Sequence, residues 1–166
     1  AKSITKVWSL PGAVRLSGEA CLRAGAGLVS IGTRPENLAP IVAGRPELMV
    51  HAVEPGSRLH ELTAQAHVIV VGPGLGRDEW ARRVLDEVLA SERPLVVDAD
   101  GLNLLATSPQ RRNDWILTPH PGEAARMLGT SAEDVQRNRL GSVHAIVTRY
   151  GGTCVFKGAN TLVCGA

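Results

Sequence analysis

Residues 67–76 read HVIVVGPGLG, a β-branched run that passes directly into glycines. A strand without polar alternation is one covered on both faces, as in a parallel sheet. The glycines and Pro73 punctuate the chain, and Asp78 then offers an N-cap for a helix through Ala90. Within that helix Trp80, Val84, Leu85, Val88 and Leu89 fall on one stripe. Strand, glycine turn and amphipathic helix make one βα unit.

The same grammar extends both ways. Upstream, residues 13–24 predict a helix that Gly25 and Gly27 end, and LVSI at 28–31 predicts a buried strand. Four prolines between Thr33 and Pro55 predict an irregular stretch with short pieces and a strand near Leu48–Val53. A short helix near Arg58–Ala66 leads back to the starting strand. Downstream, residues 95–97 (LVV) and 115–118 (WILT) predict strands. Pro121 stands in a first helical turn and Gly129 at a C-terminus. Thr130 or Ser131 caps a further helix running to about Arg149, and TCVFKGANTLVC predicts a hairpin turning at Gly158–Asn160. Strands and helices alternating in this way argue for βαβ crossovers and a mainly parallel sheet. The expectation is one α/β domain over residues 1–166.

Composition narrows the function. At 166 residues the chain can bury about 70% of its unfolded surface without disulfides or metal. Apolar residues make up 44% and charged residues 20%, with a mean hydropathy of +0.03, which excludes disordered and collagen-like chains. Net charge is only +2 and aromatics 3%, so neither nucleic acid nor a membrane surface is expected as partner. No run approaches the roughly 18 apolar residues of a membrane span, and no leader pattern opens the chain. Cys21, Cys154 and Cys164 have neither C-x-x-C nor zinc spacing, which suits a reducing, cytoplasmic compartment and no nucleophilic role.

In a parallel α/β sheet ligands gather where strands end. Pro11-Gly12-Ala13 forms one candidate turn. The GPGLG loop at 72–76 lets backbone amides approach an anion beside a helix N-terminus, or merely permits a tight corner. It is neither G-x-G-x-x-G nor a Walker loop. Asp98 and Asp100 point to one side if the chain there is extended. As a pair they can hold a metal, act as a base or bond ribose hydroxyls; alternatively Asp100 caps the next segment and Asp98 satisfies loop amides. His120 and Glu123 bracket a Pro-Gly at a strand-to-helix junction, where Pro119 and Pro121 restrict the backbone. Glu123 reaches a water on Mg²⁺ or simply favours the helix dipole. Lys157 enters a small-residue turn where a phosphate can sit, or is a solvated hairpin lysine.

The order and spacing of VVGPGLG, VVDADGLNLLA, ILTPHPGEAARMLG and RYGGTCVFKGANTLV resemble the NAD(P)H-hydrate dehydratase family of the ribokinase-like superfamily, from about Pro11 to Val163. The resemblance implies a Rossmann-like three-layer α/β/α sandwich of ribokinase type, C-terminally incomplete. It implies an ADP- or ATP-dependent lyase that uses Mg²⁺ to return (S)-NAD(P)H-hydrate to NAD(P)H. The ring hydroxyl is phosphorylated and phosphate is then eliminated. Carried over, Ala13, Gly74 and His120 resemble the hydrate-contacting positions, and Asp98 and Asn103 match further motif positions assigned to the substrate side. Lys157, Gly158, Ala159, Asn160 and Thr161 match the nucleotide-phosphate loop. Glu123 resembles the acid of the superfamily's Asn-x-x-Glu motif, ordering Mg²⁺ through water, with His120 in the asparagine's place. The family's Gly-Gly-Asp opening is not matched by AKSITKVWSL. Its Gly-x-Gly-Asp motif, source of the general base, lies beyond Ala166, so the resemblance assigns no catalytic residue to this stretch. It also implies an epimerase, fused or separate, as partner, and a homo-oligomer is expected. The alternatives are a non-catalytic nucleotide- or dinucleotide-binding fragment and a small-molecule kinase of the same superfamily.

Overall fold

The computed structural model describes residues 3–8 and 11–165, which form two compact units divided between Leu95 and Val96. No helix among the described residues is long and apolar enough to cross a membrane. Both units are built of α/β elements.

In the first unit the strands β1 (Ser3–Trp8), β2 (Leu28–Thr33), β3 (Met49–Ala52) and β4 (Val68–Val71) lie in the order β3-β2-β1-β4, all parallel. The sequence predicts no element at β1, where Ser3, Thr5 and Lys6 interrupt the apolar pattern. Its backbone nonetheless pairs with β2 on one side and β4 on the other, a tertiary override of weak local propensity. Helix α1 (Pro11–Arg23) packs on α2 (Leu38–Gly44), and Val14, Ile41 and Leu48 close over Val29 and Ile31. Gly18 permits that approach, since a Cβ there would stand 2.9 Å from a Leu48 methyl. Along β4, Ile69 and Val71 are fully buried on one face, while Val68 and Val70 on the other are half-buried, Val70 packing against the Val29–Ile31 cluster. The stretch from Thr33 to Pro55 holds more order than its prolines suggest: a 3₁₀ turn at Pro35–Asn37, then α2 and β3.

Helices α3 (Ser57–Gln65) and α4 (Glu79–Ala90) pack on each other. Asp78 caps α4 as expected, its carboxylate accepting the Ala81 amide at 3.0 Å. The α4 stripe is buried at Val84, Leu85, Val88 and Leu89, with Ala81 in the place expected for Trp80. Trp80 is only half-buried; its indole donates to the Val53 carbonyl and lies beneath the Arg34 guanidinium, 4.4 Å from the ring centre.

The second unit follows β5 (Leu95–Val97), whose first residue closes the first unit. Its strand order is β5-β6-β7-β8, where β6 is Trp115–Leu117, β7 Thr153–Phe156 and β8 Leu162–Gly165. β6 runs parallel to β7, and β7–β8 is the expected antiparallel hairpin. The helices are α5 (Ala99–Thr107), α6 (Pro121–Leu128), α7 (Ala132–Arg137) and α8 (Arg139–Tyr150). Trp115, Tyr150 and Phe156 anchor the core, with the Trp115 indole on the Gly151 carbonyl and the Tyr150 hydroxyl on that of Met127. Gly129 ends α6 at φ 68°, and the Thr130 amide returns to the Ala125 carbonyl.

Two further expectations are corrected in the second unit. The single helix from Ser131 to Arg149 is two. Asn138 leaves helical geometry (φ −130°, ψ 67°) and its side chain caps α8 on the Gly141 amide, a better use of asparagine than a helix interior. Asp98 and Asp100 do not share one side of an extended chain. Ala99, at φ 49°, turns the backbone, leaving Asp98 before α5 and Asp100 in its first turn.

Candidate functional site

Three strand exits of the second unit are tied together by backbone bonds. The Thr118 amide, after β6, donates to the Val97 carbonyl at the end of β5 at 3.1 Å. The Lys157 amide, after β7, donates to the Pro119 carbonyl at 2.8 Å. Residues far apart in sequence thus leave the sheet side by side, where an α/β fold collects ligands.

Lys157 is the centre of the side chains they carry. Its ammonium lies 2.6 Å from Asp98 Oδ1 and 3.9 Å from Glu123 Oε2. The Asp98 carboxylate is therefore committed to Lys157 rather than to loop amides. Glu123 is 4% exposed, and its Oε2 accepts the His120 amide at 2.8 Å. His120 reciprocates: its Nδ1 accepts the amides of Gly122 and Glu123 at 3.0 and 3.4 Å, a capping box with imidazole in place of a hydroxyl. A ring whose Nδ1 accepts carries its proton on Nε2. That Nε2, on an exposed side chain, sits 3.3 Å from Glu123 Oε1. The capping reading of His120–Glu123 is thus realised in the geometry.

Two carboxylates around one ammonium leave a net negative charge, so bringing an anionic phosphate here calls for a cation. Among the described residues no group of three His, Cys, Asp or Glu side chains could hold a metal alone. Mg²⁺ usually takes one or two carboxylates and completes its shell with waters and phosphate oxygens. The Asp98–Glu123 pair fits that donor set.

The turn after Lys157 is shaped for close approach. Gly158 stands at φ 138° and Asn160 at φ 58°, with the Thr161 hydroxyl on the Gly158 carbonyl. Arg139 pins it, donating to the Asn160 carbonyl at 3.3 Å while stacking on Phe156 at 4.2 Å. No sequence signal marks Arg139, because an arginine opening a helix has no distinctive spacing. Asn103 is buried on α5 with its Oδ1 on Arg126 Nε at 2.6 Å.

Two predicted positions belong to the first unit. Ala13 lies in the first turn of α1, half-buried, so Pro11-Gly12-Ala13 is helical rather than a turn. Gly74 stands at φ 71° between Gly72 and Gly76, which also have positive φ, a loop only glycine adopts without strain. The expected helix terminus beside this loop is already capped by Asp78, itself 2.5 Å from Arg34, so its dipole is partly answered within the chain.

The chain is similar to known proteins. A family model described as Carb_kinase, NAD(P)H-hydrate dehydratase, matches residues 8–165. The bifunctional NAD(P)H-hydrate repair enzyme Nnr of Coxiella burnetii is 52% identical over 94% of this chain, which spans 32% of that protein. A ribokinase-like superfamily protein from Enterococcus faecalis superposes with a TM-score of 0.89 at 29% identity, over 99% of this chain and 60% of its own. The ADP/ATP-dependent NAD(P)H-hydrate dehydratase of Bacillus subtilis, co-crystallised with ATP and Mg²⁺ and soaked with CoA, gives 0.80 at 27% identity, over 99% and 62%. The chain thus spans about a third of the bifunctional relative's length.

Proposed function

From the premise that this chain belongs to the NAD(P)H-hydrate dehydratase family, we propose that residues 1–166 are part of one dehydratase domain. Its substrate is (S)-NAD(P)H-hydrate, with ADP or ATP as phosphoryl donor. The nucleotide's terminal phosphoryl passes to the ring hydroxyl; phosphate then leaves with a ring proton, and the ring double bond returns. The observation that carries this reading is the tie between three strand exits that brings Asp98, His120, Glu123 and Lys157 together.

Such chemistry asks a protein mainly for positioning and charge neutralisation. Lys157 supplies an ammonium, and the turn Gly158–Ala159–Asn160–Thr161 surrounds the phosphates. Glu123, with Asp98, holds water on Mg²⁺, which when bound neutralises phosphate charge. His120 presents Nε2–H to the hydrate, with Asn103 of the same unit as a further contact. A cytoplasmic location, self-association and an epimerase partner, fused or separate, belong to the same proposal.

Two measurements test it. Calorimetry with ADP and Mg²⁺ should show binding, and absence of binding by ADP, ATP and hydrate alike would overturn the reading. Incubation of hydrated NADPH with ADP and Mg²⁺ should restore the near-ultraviolet dihydronicotinamide band in the chain extended to its relatives' length. A stable phosphorylated hydrate without that band would instead make it a kinase.

A further inference from the structure

We propose that Cys154 and Cys164 are a reversible thiol–disulfide pair, open to a low-molecular-weight disulfide of the glutathione class, that staples the hairpin carrying Lys157–Thr161. Pairing of β7 with β8 sets the two cysteines directly opposite each other. Opposed residues of an antiparallel pair have Cα atoms roughly 4.5–5.5 Å apart, inside the approximate 4.4–6.8 Å span of disulfides. Directly paired side chains share a face, and α8, which contacts both strands, brings His144 against Cys164 there. Both thiols are free.

Their surroundings differ, and the difference orders the chemistry. Cys154 is fully buried, beyond the reach of a solute. Cys164 is partly exposed, with Sγ 3.5 Å from Nδ1 of the exposed His144, a base within reach of its proton. Burial, with neighbouring Cys164 adding to it, pushes the Cys154 thiol up to about 12, so Cys154 does not start the exchange. The Cys164 thiolate attacks one sulfur of oxidised glutathione; the S–S bond breaks and one glutathione thiolate leaves. Cys154 then attacks Cys164 Sγ and expels the second glutathione, whose sulfur takes up the Cys154 proton as it leaves. Two protein thiols are oxidised and one small disulfide is reduced to two thiols. The new bond closes a loop that contains the whole proposed phosphate turn. Only this consequence rests on the nucleotide reading; the pairing does not.

The test is incubation with oxidised glutathione, denaturing alkylation, intact mass and peptide mapping. The expected product has lost two hydrogens, contains a Cys154–Cys164 linked peptide, leaves Cys21 as the alkylated thiol, and reverts with dithiothreitol. Cys154→Ser should stop at a lasting glutathione adduct on Cys164; if that variant does not fold, the wild-type map decides alone. A lasting adduct on wild-type Cys164 without the linked peptide, or a disulfide involving Cys21, would overturn the proposal. ADP calorimetry on reduced and oxidised protein reads the turn separately. Binding in neither state refutes the nucleotide reading and leaves the pairing standing.

Discussion

Substituting His120 separates its cap from its proposed contact with the hydrate. Asparagine is among the best N-caps, so His120→Asn keeps an acceptor for the Gly122 and Glu123 amides, whereas His120→Ala leaves them without one. Urea unfolding should show a loss of about 1 kcal/mol for the alanine variant and a few tenths for the asparagine variant. Both should weaken hydrate binding, because neither keeps Nε2–H. Equal stability losses in the two would mean the imidazole does more than cap. Lys157 answers to a different test. Its removal deletes a charge-assisted contact and leaves Asp98 and Glu123 without their shared cation. At roughly 1.5–3 kcal/mol for such a bond, Lys157→Ala should lower ADP affinity about ten- to a hundredfold by calorimetry. The sequence alone shows His120, Glu123 and Lys157 because each sits beside glycine or proline after an apolar run. Arg139 stays hidden there, since its role depends on where its helix begins, and Asn138 sets that through a fold-dependent cap.

At the scale of elements, the α4 cap has a pH signature. The hydrogen bond from the Ala81 amide, followed by the Arg34 pair, holds the Asp78 carboxyl below its ordinary value. Near the unfolded value of about 3.9 the unfolded chain therefore takes up the proton first. The charged cap's contribution is full above that pH and is lost as pH falls through the lower folded value. Unfolding midpoints of wild type and Asp78→Asn should differ at neutral pH and converge in acid; a gap unchanged down to the acid limit would show that the charge contributes nothing. Element identity was legible wherever local chemistry agreed with the fold. Asp78, Pro121, Gly129 and the hairpin turn each stand where the sequence puts them. The misses are places where tertiary pairing decided. β1 carries polar residues yet pairs with two neighbours, and α5 begins on an alanine at φ 49° that no propensity scale would choose.

At the scale of the whole molecule, spacing between motifs says more than any one motif. Each loop alone admits a structural reading, and the tie between strand exits is long-range, so the sequence left Asp98 on the substrate side and Lys157 in the nucleotide loop until the structure paired them. The proposed nucleotide site therefore predicts a response of the entire fold. A ligand that binds only the folded state stabilises it by RT ln(1 + [L]/Kd), about 2.7 kcal/mol at a hundredfold excess over Kd. ADP with Mg²⁺ should raise the unfolding midpoint accordingly, and Lys157→Ala, with its ten- to hundredfold weaker binding, should cut the gain to about 0.4–1.4 kcal/mol at the same concentration. Hydrogen exchange would localise the effect. Slowing should centre on residues 98–103, 118–123 and 157–161. Protection by ADP confined to residues 72–76 would move the phosphate site to the glycine loop and take Lys157 out of it.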